Sequence, residues 1–201
     1  MASPKKITEI PTIDVVMVMV EAEAESYILD TANKIGVEPQ IETSDAVKLI
    51  VKNRLIAQKN EQSTITGNKI TLTDNVFAPE LVKMLQGGTI RYWTSAERTQ
   101  EGTEPTEFGI SGYTPPITGS GEKGVVFKLH AFSAQYDTSG QITQYERITY
   151  PNCQGVPVAF SSEDGAFRAP EYTINSAPKK GEAPYEITYI KELPVNLEVS
   201  E

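Results

Sequence analysis

The chain holds one cysteine, Cys153, and one histidine, His130. A single thiol excludes an intramolecular disulfide and a thiolate metal site. The usual zinc sets need several His and Cys together, so a metal could only be held by carboxylates. Long apolar runs are missing too. The longest, Val15 to Val20, has six residues against the roughly 20 that a membrane-crossing helix requires. The first residues lack the apolar stretch of a secretory signal, so the expectation is a chain that makes no use of a membrane. There is one tryptophan, Trp93, in the segment TIRYW, where a core position is expected. No phosphate loop, dinucleotide fingerprint or G-x-S-x-G elbow occurs.

What is present is a globular composition. The 201 residues are 39% hydrophobic, enough for one domain with a real core. The expectation is a single domain over 1–201, with flexible arms at 1–10 and 192–201. The net charge is −9, which repels nucleic-acid phosphates and argues against sequence reading or packaging of DNA. The charge is uneven. Residues 1–40 have three Lys against seven Asp or Glu, whereas 41–73 have five basic residues against three acidic. A basic segment therefore sits inside an acidic protein.

Most of the pattern reads as strand. Residues 14–25 are rich in Val and Met and then alternate Ala with Glu, which places Glu21, Glu23 and Glu25 on one strand face. Residues 31–39 read as a loop turning at Gly36. Residues 45–59 read as a strand with one dry face (Val47, Leu49, Val51) and one basic face (Lys48, Lys52, Arg54), broken at Asn53. Gly67-Asn68 reads as a further turn. One helix is expected over about 78–86, with Pro79 at its first position, Glu80 favouring the positive end of its dipole, and Gly87-Gly88 as its stop. Ala78 would be a weak cap. Residues 96–124, with six Gly and three Pro, read as a long functional or mobile loop. Strands resume over 125–136 and 141–150 around the turn 137–140, then over 153–161, 167–175 and 185–190. Many strands with one short helix define a mainly β fold, a sandwich or barrel flanked by that helix.

Catalytic readings are weak. A Ser-His-Asp arrangement would have to use His130, which falls mid-strand on the face of Lys128, Phe132 and Tyr136; a sheet-face or interface histidine is the favoured reading. Cys153, in YPNCQG, reads as a small buried residue and not as a nucleophile. The three glutamates could do acid–base work in principle, but three like charges cannot all be buried. They read as a solvated face or as a repeated polyanionic lining. The basic residues Lys48, Lys52 and Arg54 read as a solvated face or as a contact with an acidic surface of another copy. The expectation is a structural protein and not an enzyme.

Several segments resemble one family in order along the chain: LDTANKIGVEPQIETSDAVKLIVK (29–52), ITLTDNVFAPELVKMLQGGTI (70–90), GYTPPITGS (112–120) and ITYPNCQGVPVAFSSEDGAFRAPEYTINSAPKKGEAPYEITYIKELP (148–194). They are similar to the major tail tube proteins of long-tailed bacteriophages that infect Gram-positive bacteria. Ala78 departs from the Asn expected before that proline. The resemblance implies a β-sandwich or small barrel with one helix, whose copies form homo-hexameric rings that stack into a hollow tail tube in the virion. It implies a tape measure protein and tail terminator or tip proteins as partners, DNA passing without specific binding, and no cofactor. On that view Glu21, Glu23 and Glu25 face the lumen, and Lys48, Lys52, Arg54, Phe108 and Tyr113 make ring-stacking contacts. Two other roles fit the same residues: the tube of a phage-derived contractile injection system or tailocin, and a carbohydrate-binding β-sandwich module.

Overall fold

The computed structural model describes residues 10–23, 25–94, 109–159, 161, 163–165 and 168–194. Phe108, the first part of the expected 96–124 loop and most of both expected terminal arms lie outside the described residues. The described elements are β1 (Ile13–Ala22), β2 (Ser26–Leu29), β3 (Ala32–Ser44), β4 (Val47–Val51), β5 (Arg54–Lys59), β6 (Gln62–Asp74), α1 (Pro79–Gln86), β7 (Thr89–Tyr92), β8 (Ile110–Thr114), β9 (Phe127–Tyr136), β10 (Ile142–Gly155), β11 (Glu171–Ser176) and β12 (Glu186–Ile190). Among the described residues the fold is mainly β and antiparallel, a sandwich with one short helix.

The strands follow the path β2-β1-β9-β10-β11-β6-β3, with β12 also on β10. β10 joins the two layers. It pairs with β9 along most of its length, with β12 at Tyr145–Thr149, and with β11 only at Cys153–Gly155. Between these last two partners the register slips at Tyr150/Cys153, and Asn152 adopts φ 50°. Such a bulge lets one strand leave one sheet and enter the other. Alternating inward residues then face each other: Val18, Val20, Leu129 and Ala131 from one layer, Ile70, Leu72, Tyr172 and Ile174 from the other. Leu81, Val82, Met84 and Leu85 of α1 join the same core.

The helix starts where Pro79 makes a missing N–H harmless. Ala78 supplies no side-chain cap, as expected; instead its N–H donates to the Tyr172 hydroxyl at 3.3 Å. The helix stops at Gly87 and Gly88, with φ 83° and 96°. Its last turn is held by Tyr113, whose hydroxyl donates to the Gly87 carbonyl at 2.7 Å and accepts from Gln86 Nε2 at 2.8 Å. The expected turn at 137–140 forms: Asp137 Oδ1 accepts from the Ser139 and Gln141 amides, and Gly140 takes φ 80°.

Several sequence expectations are corrected. Residues 31–39 are not a loop, because Gly36 lies within β3, paired with Thr71 of β6. Gly67-Asn68 is not a turn. Gly67 lies inside β6, where a Cβ would come 2.5 Å from the Ser176 carbonyl, so close packing and not turning selects glycine. Residues 45–59 form two strands. The segment 96–124 is not structureless throughout, since β8 pairs with β7. The strand expected over 153–161 ends at Gly155, and that expected from 167 begins at Glu171. Trp93 is not core but 37% exposed at the end of β7.

Candidate functional site

The most unusual feature is an arm. β3 and β6 stay paired to Ser44↔Gln62, where both are exposed, and β4 and β5 follow as a separate two-stranded hairpin. Its tip is a two-residue turn in which Lys52 (φ 49°) and Asn53 (φ 60°) both adopt the left-handed conformation that tight hairpins need. Every residue of β4 and β5 is exposed. The expected dry face does not exist, because nothing in the described chain covers it: Val47 is 62% and Leu49 53% exposed. Lys48, Lys52 and Arg54 thus share a short ribbon with Val47, Leu49, Ile50, Val51, Leu55 and Ile56. None of the three cations is ion-paired among the described residues. So many exposed aliphatic side chains on one short ribbon point to an interaction site.

The three glutamates do not share a strand face. Only Glu21 lies in β1, paired in register with Ser26 and Lys128. The chain then turns, with the Ala22 amide donating to the Glu25 carbonyl at 2.9 Å. Glu23 and Glu25 therefore sit in the β1–β2 turn. Glu25 accepts from the Tyr27 hydroxyl at 2.7 Å, a bond that helps push the Tyr27 pKa up to about 12. Beside this turn is an open groove of about 450 Å³ lined by Ala22, Glu23, Glu25, Lys83, Met84, Val125 and Val126.

Glu21 has a different setting. Its carboxylate lies 3.1 Å from Nε2 of the buried His130, whose Nδ1 is 2.9 Å from Thr149 Oγ1. Burial lowers the His130 pKa below its ordinary value, while the hydrogen bond to Glu21 pulls the other way and Arg147 and Lys128 add to the lowering. The neutral ring with Nε2–H donating to Glu21 and Nδ1 accepting from Thr149 satisfies both contacts. Glu21, His130 and Thr149 form a carboxylate–imidazole–hydroxyl line. Thr149, however, is paired in register with both His130 and Glu186, in the middle of the sheet. An oxyanion needs converging free donors, and a strand residue laddered on both sides offers none of its own. Lys128, Arg147, Glu182 and Glu186 border the same shallow cavity, so this face is charge-balanced and not polyanionic.

Tyr113, in β8, spends its hydroxyl on the end of α1, which sequence reasoning missed; Phe108 lies outside the described residues. Cys153 is fully buried, and burial pushes its thiol up to about 12. Neither the pairing of Glu21 with His130 nor the groove was legible without strand register, since their residues are distant in sequence. No group of His, Cys, Asp and Glu among the described residues is arranged to hold a metal, and no described helix is long and apolar enough to cross a membrane.

No protein-family model and no curated protein matches the chain. Seven chains of solved structures match. One belongs to the sheath-tube complex of PVC, an extracellular contractile injection system, in its extended state; it is 11% identical, with 90% of this chain and 93% of that chain covered and a TM-score of 0.36.

Proposed function

We propose that this chain is a structural subunit that polymerises head to tail into a hollow tail tube, and that it has no catalytic role. The observation that carries this reading is the β4–β5 arm: a ribbon of exposed aliphatic side chains and of cations with no ion pair among the described residues, in a protein of net charge −9. A discrete monomer gains nothing from such an arm and runs the aggregation hazard of its bare edges. A polymer buries it. An arm that inserts into a different surface of the next copy makes a heterologous contact, which propagates instead of closing on a pair. The order of sequence segments similar to tail tube proteins supports the same reading. It extends to hexameric rings in the tail of a virion, with a tape measure protein inside and terminator or tip proteins at the ends. Six copies carry a formal charge of −54. A tube of that net charge repels phosphates overall, so DNA passes without binding.

Sedimentation velocity over a concentration series tests this. Growth from a small species into large polymers is expected; a monomer at every concentration overturns it. The exposed pair Tyr92 and Trp93 favours one second reading, a carbohydrate-binding module. A monomer that binds a glycan array would establish that reading in place of the tube.

A further inference from the structure

The arm and the groove by the β1–β2 turn are chemically complementary. The arm offers Lys52 and Arg54 at its tip, flanked by Ile50, Val51 and Leu55. The groove offers Glu23 and Glu25 at its rim, with Met84, Val125 and Val126 as its apolar wall, and with Lys83 as the one basic residue of its lining. Val125 and Val126 are about half exposed, so the wall is uncovered. The five residues of β4 span about 17 Å. That reach suits contact with a neighbouring copy.

We infer that the arm of one copy docks in the β1–β2/α1 groove of the next, with Lys52 and Arg54 against Glu23 and Glu25 and with Ile50 and Leu55, which pair across the hairpin on one face, covering Val125 and Val126. The inference rests on the tube reading and names its stacking contact. It also moves Glu23 and Glu25 from a lumen lining to a joint between copies. Both halves of the contact come from one chain and are different surfaces, so each added copy presents a fresh arm and a fresh groove. Charge pairing fixes which surfaces meet, and the aliphatic contact supplies affinity.

Charge reversal on each side, followed by combination, tests it. The variant Lys52→Glu/Arg54→Glu and the variant Glu23→Lys/Glu25→Lys each place like charges across the joint. Each is expected to raise the protein concentration at which polymers form by about tenfold or more. All substituted side chains are exposed, and circular dichroism of the unassembled chains checks that both variants fold. The four-fold variant restores opposite charges and is expected to polymerise again near the wild-type concentration. Polymerisation by either double variant at the wild-type concentration overturns the contact. So does a four-fold variant no better than its parents. Failure of the wild-type chain to polymerise overturns the tube reading itself, and is distinguished from both by being seen before any substitution.

Discussion

Replacing Gly155 by alanine puts a methyl group against Leu85 of α1. The new Cβ would stand 2.5 Å from Leu85 Cα and closer still to Leu85 Cβ. Those atoms are helix backbone and its first side-chain carbon, so no rotamer change relieves the clash. Either α1 shifts as a body, dragging Leu81, Val82 and Met84 from the core, or β10 bends away from β9 and β11. Overpacking a close-packed interior costs roughly 1–3 kcal/mol. A loss of about 2 kcal/mol lowers the urea midpoint by about 1 M when m is about 2 kcal/mol/M. The assay is urea unfolding of the unassembled chain followed by far-UV circular dichroism. Gly112→Ala is the companion, because a Cβ there meets nothing within 4 Å; it is expected to move stability by no more than about 0.5 kcal/mol. A Gly155→Ala midpoint equal to that of Gly112→Ala would refute the seating of α1 on β10.

Tyr113→Phe leaves Gln86 Nε2 and the Gly87 carbonyl without the hydroxyl that joins them, and is expected to cost about 1–2 kcal/mol by the same unfolding assay; no loss would mean that the clamp contributes nothing. Cys153, with its pKa raised by burial to about 12, stays a neutral thiol across the ordinary pH range. It is expected to react with a thiol reagent at pH 8 only as fast as the chain unfolds, and a stoichiometric burst in native buffer would contradict its burial. His130 has a folded-state pKa below its ordinary 6.5, chiefly through burial. Near that pH the unfolded chain binds a proton that the folded chain refuses, so stability rises with pH. The contribution is complete above 6.5 and is lost as pH falls toward the lowered value. Unfolding midpoints measured between about pH 5 and 7 are expected to climb for the native chain and to flatten in His130→Gln; equal slopes would show that His130 is not the titrating group.

The helix and the 137–140 hairpin were legible in sequence because each is specified locally, by Pro79 with Gly87-Gly88 and by Asp137 with Gly140. β3 and β6 were obscured by Gly36 and Gly67, which read as turns, and by Pro39, which read as the end of a loop. Tertiary context explains them. β3 lies at the end of the strand path with β6 as its described partner, so Pro39 can sit where an unpaired N–H would otherwise face out. The arm was misread as one strand because its tip uses Lys52 and Asn53 in the left-handed region instead of an Asn-Gly pair. The basic character of 41–73 was visible, but the absence of any cover over its apolar residues was not, since alternation in a sequence cannot tell a buried face from an unpartnered one. Glu21, Glu23 and Glu25 were assigned to a single face by period alone. The turn at Ala22–Glu25 separates them, and only strand register shows that Glu21 belongs with His130.

Electron microscopy of the purified chain after concentration shows whether it polymerises into a hollow tube. Tubes of uniform diameter with an open lumen and a regular axial repeat of rings are the predicted result. A field of discrete particles the size of one chain at every concentration would contradict it.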